Sequence, residues 1–128
     1  MEAVVDFEKE VWQLIKPGQR AFWRADVEGS SMGSHDFNAS LRDWGRLAIW
    51  ILAEHKKPGC FGDYLREATS TQIVTKKIHG KQRRTLNGFD GYGYQFWTDN
   101  KFFYGFCGRG RVGQRFCFNP ETGKVAIK

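Results

Sequence analysis

The chain contains no apolar run near the ~20 residues that a membrane-spanning helix needs, and this predicts no membrane partner. It has only three cysteines, Cys60, Cys107 and Cys117. No two of them form a C-x-x-C pair and no histidine stands at zinc-ligand spacing, so neither a metal knuckle nor a disulfide framework is indicated, and no metal or cofactor is expected. Reduced, buried thiols are the default. The alternative is a strained Cys107–Cys117 bridge, because a hairpin centred on Val112 would set the two residues opposite one another. The opening Met1-Glu2-Ala3-Val4-Val5-Asp6 lacks a basic head and a long apolar run, which predicts no signal peptide and places the chain in the cytoplasm by default. Internal repeats and low-complexity tracts are also missing.

What is present is apolar and aromatic material. The 128 residues are 41% hydrophobic and 16% aromatic, with eleven Phe and five Trp. That is enough area for one core and argues against disorder. The expectation is a single domain over 1–128, helical over 1–87 and built of strands over 88–128. A net charge of +6 is concentrated at His79, Lys81, Arg83 and Arg84 and again at Arg109, Arg111 and Arg115. Such clusters permit nucleic-acid binding, but no base-reading motif accompanies them, so nucleic acid is not the expected partner.

Apolar residues recur at helical spacing from Val4 to Ile15, until Lys16-Pro17-Gly18 stops them. Gln19 to Phe37 reads as an irregular loop pinned by Phe22 and Trp23. Ser40 with Asp43 three residues on resembles a capping box, which predicts a helix to about Glu54. Its buried stripe should be Leu41, Trp44, Leu47, Ala48, Ile51 and Leu52, with Arg42, Asp43 and Arg46 on the other side. A shorter helix, Gly62 to Ala68, should turn Tyr64, Leu65 and Ala68 inward, and Ser70 to Asn87 should be mostly loop. Thereafter alternating β formers predict strands over Tyr92–Trp97, Phe102–Cys107, Gln114–Phe118 and Lys124–Ile127. Asp99-Asn100 and Pro120-Glu121-Thr122-Gly123 are the expected turns, and the short connections imply an antiparallel meander.

The segment Phe37-Asn38-Ala39-Ser40-Leu41-Arg42-Asp43-Trp44-Gly45-Arg46-Leu47 resembles the "N-A-T-x-R-D-W-A-R-F-G" helix start of the serine β-lactamase-like esterases, with the nylon-oligomer (6-aminohexanoate-dimer) hydrolases as the nearest branch. Gly91-Tyr92-Gly93-Tyr94-Gln95-Phe96-Trp97 is similar to that branch's "YGYxWW", and Gly110-Arg111-Val112-Gly113-Gln114 through Asn119-Pro120 to its "GxxGQxxxxxxP". Upstream, Phe22-Trp23-Arg24-Ala25-Asp26 and Gly29 resemble its "A-x-W-x-x-D-x-x-G" loop. The fold that this implies is α+β, a partial serine β-lactamase-like fold of two to three helices followed by a three- to four-stranded antiparallel meander.

In that family the Ser of S-x-x-K attacks a carbonyl, the Lys and the Tyr of Y-x-N move protons, and two backbone N–H groups hold the oxyanion. Neither S-x-x-K nor Y-x-N occurs in this sequence. The resemblance therefore implies a fragment or remnant of a serine esterase or amidase, inactive alone, with no catalytic residue of its own. What remains is one wall of a site. Gly108-Arg109-Gly110 falls where the family has K-T-G or H-x-G, and the N–H of Arg111 matches the second oxyanion donor. Arg109 and Arg111 are either substrate-side cations or solvated hairpin charges. Expected partners are a second copy or a missing N-terminal half, with a small ester or amide substrate only in a complete enzyme. The alternative is a basic, aromatic-rich binding module for nucleic acid or another polymer. Tyr92, Tyr94 and Phe96 are expected on one sheet face as core. Ser30, Ser31, Ser34 and His35 lack an orienting acid, and His55 and His79 read as surface groups.

Overall fold

The computed structural model describes residues 2–31, 33, 35–75, 88–100 and 105–128. The chain is α+β. Its internal packing divides it into two units, Met1–Leu47 and Ala48–Lys128.

The first unit begins with helix α1 (Glu2–Phe7), which widens into a π-helical segment, Glu8–Trp12. The Gln13 N–H reaches back to the Glu8 carbonyl at 2.8 Å. This extra residue per turn shifts the later apolar positions around the axis. Trp12 and Ile15 are buried while Leu14 is exposed. Strands β1 (Phe22–Trp23) and β2 (Phe37–Asn38) pair antiparallel, so the segment expected as an irregular loop is bracketed by a short ladder. Asp26 organises its interior by accepting the N–H groups of Glu28 and Ser30, each at 2.9 Å, an Asx-type turn. Of the two expected pinning aromatics only Trp23 does so. Its ring lies 4.9 Å from Phe37 and 5.3 Å from Phe7, whereas Phe22 is exposed.

Helix α2 (Leu41–His55) starts as its sequence predicts, with the Ser40 hydroxyl accepting the Asp43 N–H at 3.1 Å. The expected placement of Asp43 on the outer side is corrected, for its side chain is fully buried. Its carboxylate accepts the N–H groups of Gly18 (2.8 Å) and Gln19 (3.1 Å) and the Ser40 hydroxyl (2.8 Å), and pairs with Arg46. The Gly18 N–H above all, together with Ser40, Arg46 and Gln19, holds the carboxyl down at about 2 against the burial that would raise it. Arg42 and Arg46 are exposed as expected, and so is Leu41, which the stripe had placed inside.

In the second unit, Ala48 and Leu52 of α2 pack on Phe106 and Phe118, with Ile51, Phe96, Phe116, Val125 and Ile127 around them. Helix α3 (Cys60–Ala68) buries Leu65 and Ala68, but Tyr64 is exposed, against expectation, and lies 6.2 Å from Tyr94. Six antiparallel strands then run in spatial order: β3 (Ile73–Val74), β4 (Phe89–Tyr92), β5 (Trp97–Asn100), β6 (Phe106–Arg109), β7 (Arg115–Asn119) and β8 (Lys124–Ile127). The sheet is wider than the three or four strands expected, because one predicted strand is two and because β3 forms within the stretch expected to be mostly loop. Residues 93–96 are not extended but form the tip joining β4 to β5, with the Gly93 N–H on the Phe96 carbonyl at 2.8 Å. That tip sits on the end of α3, where the Tyr94 N–H donates to the Ala68 carbonyl at 2.9 Å. A Cβ on Gly93 would overlap the same carbonyl oxygen, so the aromatic–glycine alternation marks a close approach rather than a strand. Tyr92, Tyr94 and Phe96 accordingly do not share one core face, and Tyr94 is exposed with its hydroxyl donating to Glu67 at 2.8 Å.

Asp99, expected in a turn, lies in β5 with φ of 56°. Its carboxylate accepts the Thr71 hydroxyl at 2.6 Å. Residues 101–104 lie outside the described residues, as do His79, Lys81, Arg83 and Arg84 of the first basic cluster, so the start of the strand predicted from Phe102 is known only from Phe106 onward. The β6–β7 hairpin turns over Gly110–Gln114, and the β7–β8 hairpin over Pro120–Gly123, where Asn119 Oδ1 accepts the N–H groups of Glu121 and Thr122 at 3.0 Å each.

The thiols correct the default expectation. Cys107 and Cys117 are joined in a disulfide, and only Cys60, exposed at the start of α3, is free. Phe106–Phe118 and Cys107–Cys117 are successive facing pairs and so point to opposite faces of the sheet. The bridge belongs to the second apolar cluster, with Phe89 and Trp97.

Candidate functional site

Gly108 and Arg109 end β6, and Gly110 and Arg111 begin the turn beyond it. The turn is built by its own residues. The Gly110 N–H donates to the Gln114 carbonyl at 3.0 Å, Gly113 adopts φ of 98°, and the Gln114 amide folds inward to accept the Val112 N–H at 3.2 Å. Gln114 Oε1 also covers Gly110 so closely that a Cβ could not be added there. These four residues thus stand consecutively at one end of β6.

The two arginines are not equivalent. Arg111 is exposed at the turn, whereas Arg109 is half-buried, with its guanidinium carbon 5.7 Å from the ring centres of both Phe89 and Trp97. Reading Arg109 as a solvated hairpin charge is therefore corrected. Burial first, then the like charge of Arg115 directly across the ladder, pulls its pKa below the ordinary value. The disulfide lies two residues back on the same face, so Arg109, Phe89, Trp97 and Cys107–Cys117 make one continuous layer under the strand end.

A second concavity, about 730 Å³, lies at the other end of β6. It is bordered by His55, Arg66, Thr69, Thr71, Asp99 and Glu121 among others. His55 is not the surface group its neighbours suggested. It is half-buried, its ring stacks on Phe106 at 5.8 Å, and its Nε2 lies 3.2 Å from the Thr69 hydroxyl. That hydroxyl can donate to the Leu65 carbonyl at 2.8 Å, and the tautomer with its hydrogen on Nε2 satisfies both contacts. Burial foremost, then Arg66 and Lys56, lowers the His55 pKa. Arg66 is committed to the end of α2, donating to the carbonyls of His55 (2.6 Å) and Lys57 (3.0 Å). No sequence signal could have assembled this group, because its members come from five separate elements and none sits at motif spacing.

Ser40 and Ser70 are engaged locally. The Ser40 hydroxyl serves Asp43, and the Ser70 hydroxyl donates to the Glu67 carbonyl at 2.7 Å. His35 faces Asp36 at 3.5 Å and gives its carbonyl to Trp23, Ser31 is bridged to Ala25, and Ser34 lies outside the described residues. Among the described residues no three His, Cys, Asp or Glu side chains converge in a way that could hold a metal, and no helix is long and apolar enough to cross a membrane. In comparisons with known proteins, no protein-family model matches the chain, and no curated protein is significantly similar to it.

Proposed function

We propose that this chain forms the substrate-side wall of a serine β-lactamase-like hydrolase acting on ester or amide bonds, with Gly108, Arg109, Gly110 and Arg111 at the strand end beside the reacting carbonyl. The observation that carries this reading is the position of those residues. They end β6 and open the turn after it, within an antiparallel meander that follows α2 and α3, the order the sequence motifs imply. In such a site the Arg111 N–H would be the oxyanion donor on this wall, and Arg109, held against Phe89 and Trp97, would fix the strand end rather than handle protons. The sequence has no S-x-x-K and no Y-x-N, so the hydroxyl nucleophile and its proton acceptors come from another polypeptide segment. Alone the chain is inactive.

A fluorophosphonate probe tests this directly. The chain alone should show no labelling, and a mixture with an N-terminal polypeptide bearing S-x-x-K and Y-x-N should be labelled on that serine faster than the N-terminal polypeptide alone. Labelling of a serine within this chain, or no change on mixing, would remove the reading.

A further inference from the structure

Strand β8 is the last of the six, and among the described residues no strand pairs with its outer side. Its hydrogen-bonding groups can be assigned to sides. Arg115 and Lys128 exchange both backbone bonds, at 3.0 and 2.9 Å, so the backbone of Lys128 faces β7. By the alternation of an antiparallel ladder, Ala126 and Lys124 face β7 too, and Val125 and Ile127 turn their N–H and C=O groups outward. The side chains alternate in the opposite sense. Val125 and Ile127 are half-buried against the Phe106–Phe118 cluster, while Lys124, Ala126 and Lys128 are exposed on the other face.

An open ladder with an apolar face is a template for a further strand, and the charges say which. A residue opposite Lys124 or Lys128 would occupy a non-hydrogen-bonded pair, where side chains approach most closely. A second copy fits poorly. The one antiparallel register that uses the outward groups of both Val125 and Ile127 is centred on Ala126, and it sets Lys124 of each copy against Lys128 of the other. Facing like charges destabilise such pairs. We propose that the outer edge of β8 accepts a strand of another polypeptide in which apolar residues opposite Val125 and Ile127 are flanked by carboxylates opposite Lys124 and Lys128. Backbone bonds would give the affinity, the apolar pair would extend the Phe106–Phe118 cluster, and the lysines would select the partner. This rests on the sheet edge and not on the hydrolase reading, since it holds whether or not the partner carries a nucleophile.

The probe is an N-acetylated, C-amidated peptide, Glu-Val-Thr-Val-Glu, titrated into the isotope-labelled chain and followed by the amide resonances of β8. It should bind saturably with shifts at Val125 and Ile127. The peptide with lysine at both ends should bind about threefold to tenfold more weakly. The combined substitution Lys124→Glu and Lys128→Glu should reverse that preference without affecting folding, since both side chains are exposed. N-methylation of both peptide valines should abolish binding, which a merely electrostatic contact would survive. No saturable binding, undiminished binding of the N-methylated peptide, or a dimer in sedimentation that Ile127→Pro dissolves would overturn the proposal, the last by giving the edge to a second copy.

Discussion

Cys107 faces Cys117 across the β6–β7 ladder with their Cα atoms 4.1 Å apart, and their sulfurs are bonded. The pair sits where the backbone of Cys117 turns toward β8, which makes it a non-hydrogen-bonded pair on the β6 side. Both residues are buried. The bridge thereby closes the hairpin that carries Arg109 and Arg111, so the candidate wall is covalently fixed two residues from its first arginine.

The unreduced, denatured chain should accordingly titrate as one thiol and the reduced chain as three. Replacing both bridged cysteines by serine should lower stability by about 2–3 kcal/mol, the range for a short closed loop. Denaturant unfolding of the double variant against the oxidised parent measures it. A count of three thiols without reductant would show that the bridge does not form.

Asp43 is a buried carboxylate held by four partners in the first unit. Its folded pKa, about 2, lies below the ordinary value of 3.8. A depressed carboxyl stabilises the fold fully above its unfolded value, and that contribution drains away as pH falls from about 3.8 toward 2. Asp43→Ala would strand the N–H groups of Gly18 and Gln19 and the Arg46 guanidinium, at a cost on the order of 3 kcal/mol. The variant should also lose the acid-side slope in a plot of stability against pH, and retention of the slope would assign it to other carboxyls.

How much of this was legible in the sequence depends on whether the deciding force was local. Helix α2 could be read because the Ser40 cap and the apolar spacing act within a few residues, and β7, β8 and their turn for the same reason. Asp43 could not be placed, because its burial is decided by Gly18 and Gln19, more than twenty positions away. The Tyr92–Trp97 stretch misled because alternation says nothing about a neighbouring helix, and the packing of Gly93 on Ala68 turns an apparent strand into a hairpin tip. Facing of Cys107 and Cys117 was legible as geometry, but spacing alone does not say that a bond forms. Arg109 was placed on its hairpin, yet its two ring neighbours come from β4 and β5, outside any local pattern.

Two glycines should respond oppositely to the same change. Gly93→Ala forces a methyl group into the carbonyl oxygens of Ala68 and Ser70, and should cost about 2–4 kcal/mol, as backbone clashes in packed sites do. Gly45 lies inside α2 with no atom near the position of an added Cβ. Gly45→Ala should therefore stabilise by about 0.5–1 kcal/mol through helix propensity. Thermal unfolding of both variants checks the pair, and equal shifts of one sign would show that Gly93 does not approach α3.

If Arg109 holds the strand end through its aromatic contacts, Arg109→Ala should lower stability by about 1 kcal/mol and change the fluorescence of Trp97. Arg111→Ala should do neither, being exposed at the turn. On the proposed hydrolase reading Arg111→Ala should leave oxyanion stabilisation in the reconstituted pair intact as well, because the proposed donor is a backbone N–H, which the substitution keeps.

His55 gives the second unit its own pH dependence. Burial, Arg66 and Lys56 all disfavour the imidazolium, so the folded pKa lies below the ordinary 6.5 and the unfolded chain takes up the proton first. Stability from this group is complete above about 6.5 and falls as pH drops through the folded value. The sense matches that of Asp43, but the decline sets in below about 6.5 rather than below 3.8. His55→Gln keeps a donor near Thr69 while removing the titration, and should flatten the slope that sets in below about 6.5 without altering the one below 3.8. The ring stacked on Phe106 would be lost in the same change, so a uniform drop in stability at every pH is expected and is not the diagnostic. The diagnostic is the change in slope, measured by denaturant midpoints across the acid range, and an unchanged slope would place His55 in contact with water in the folded chain.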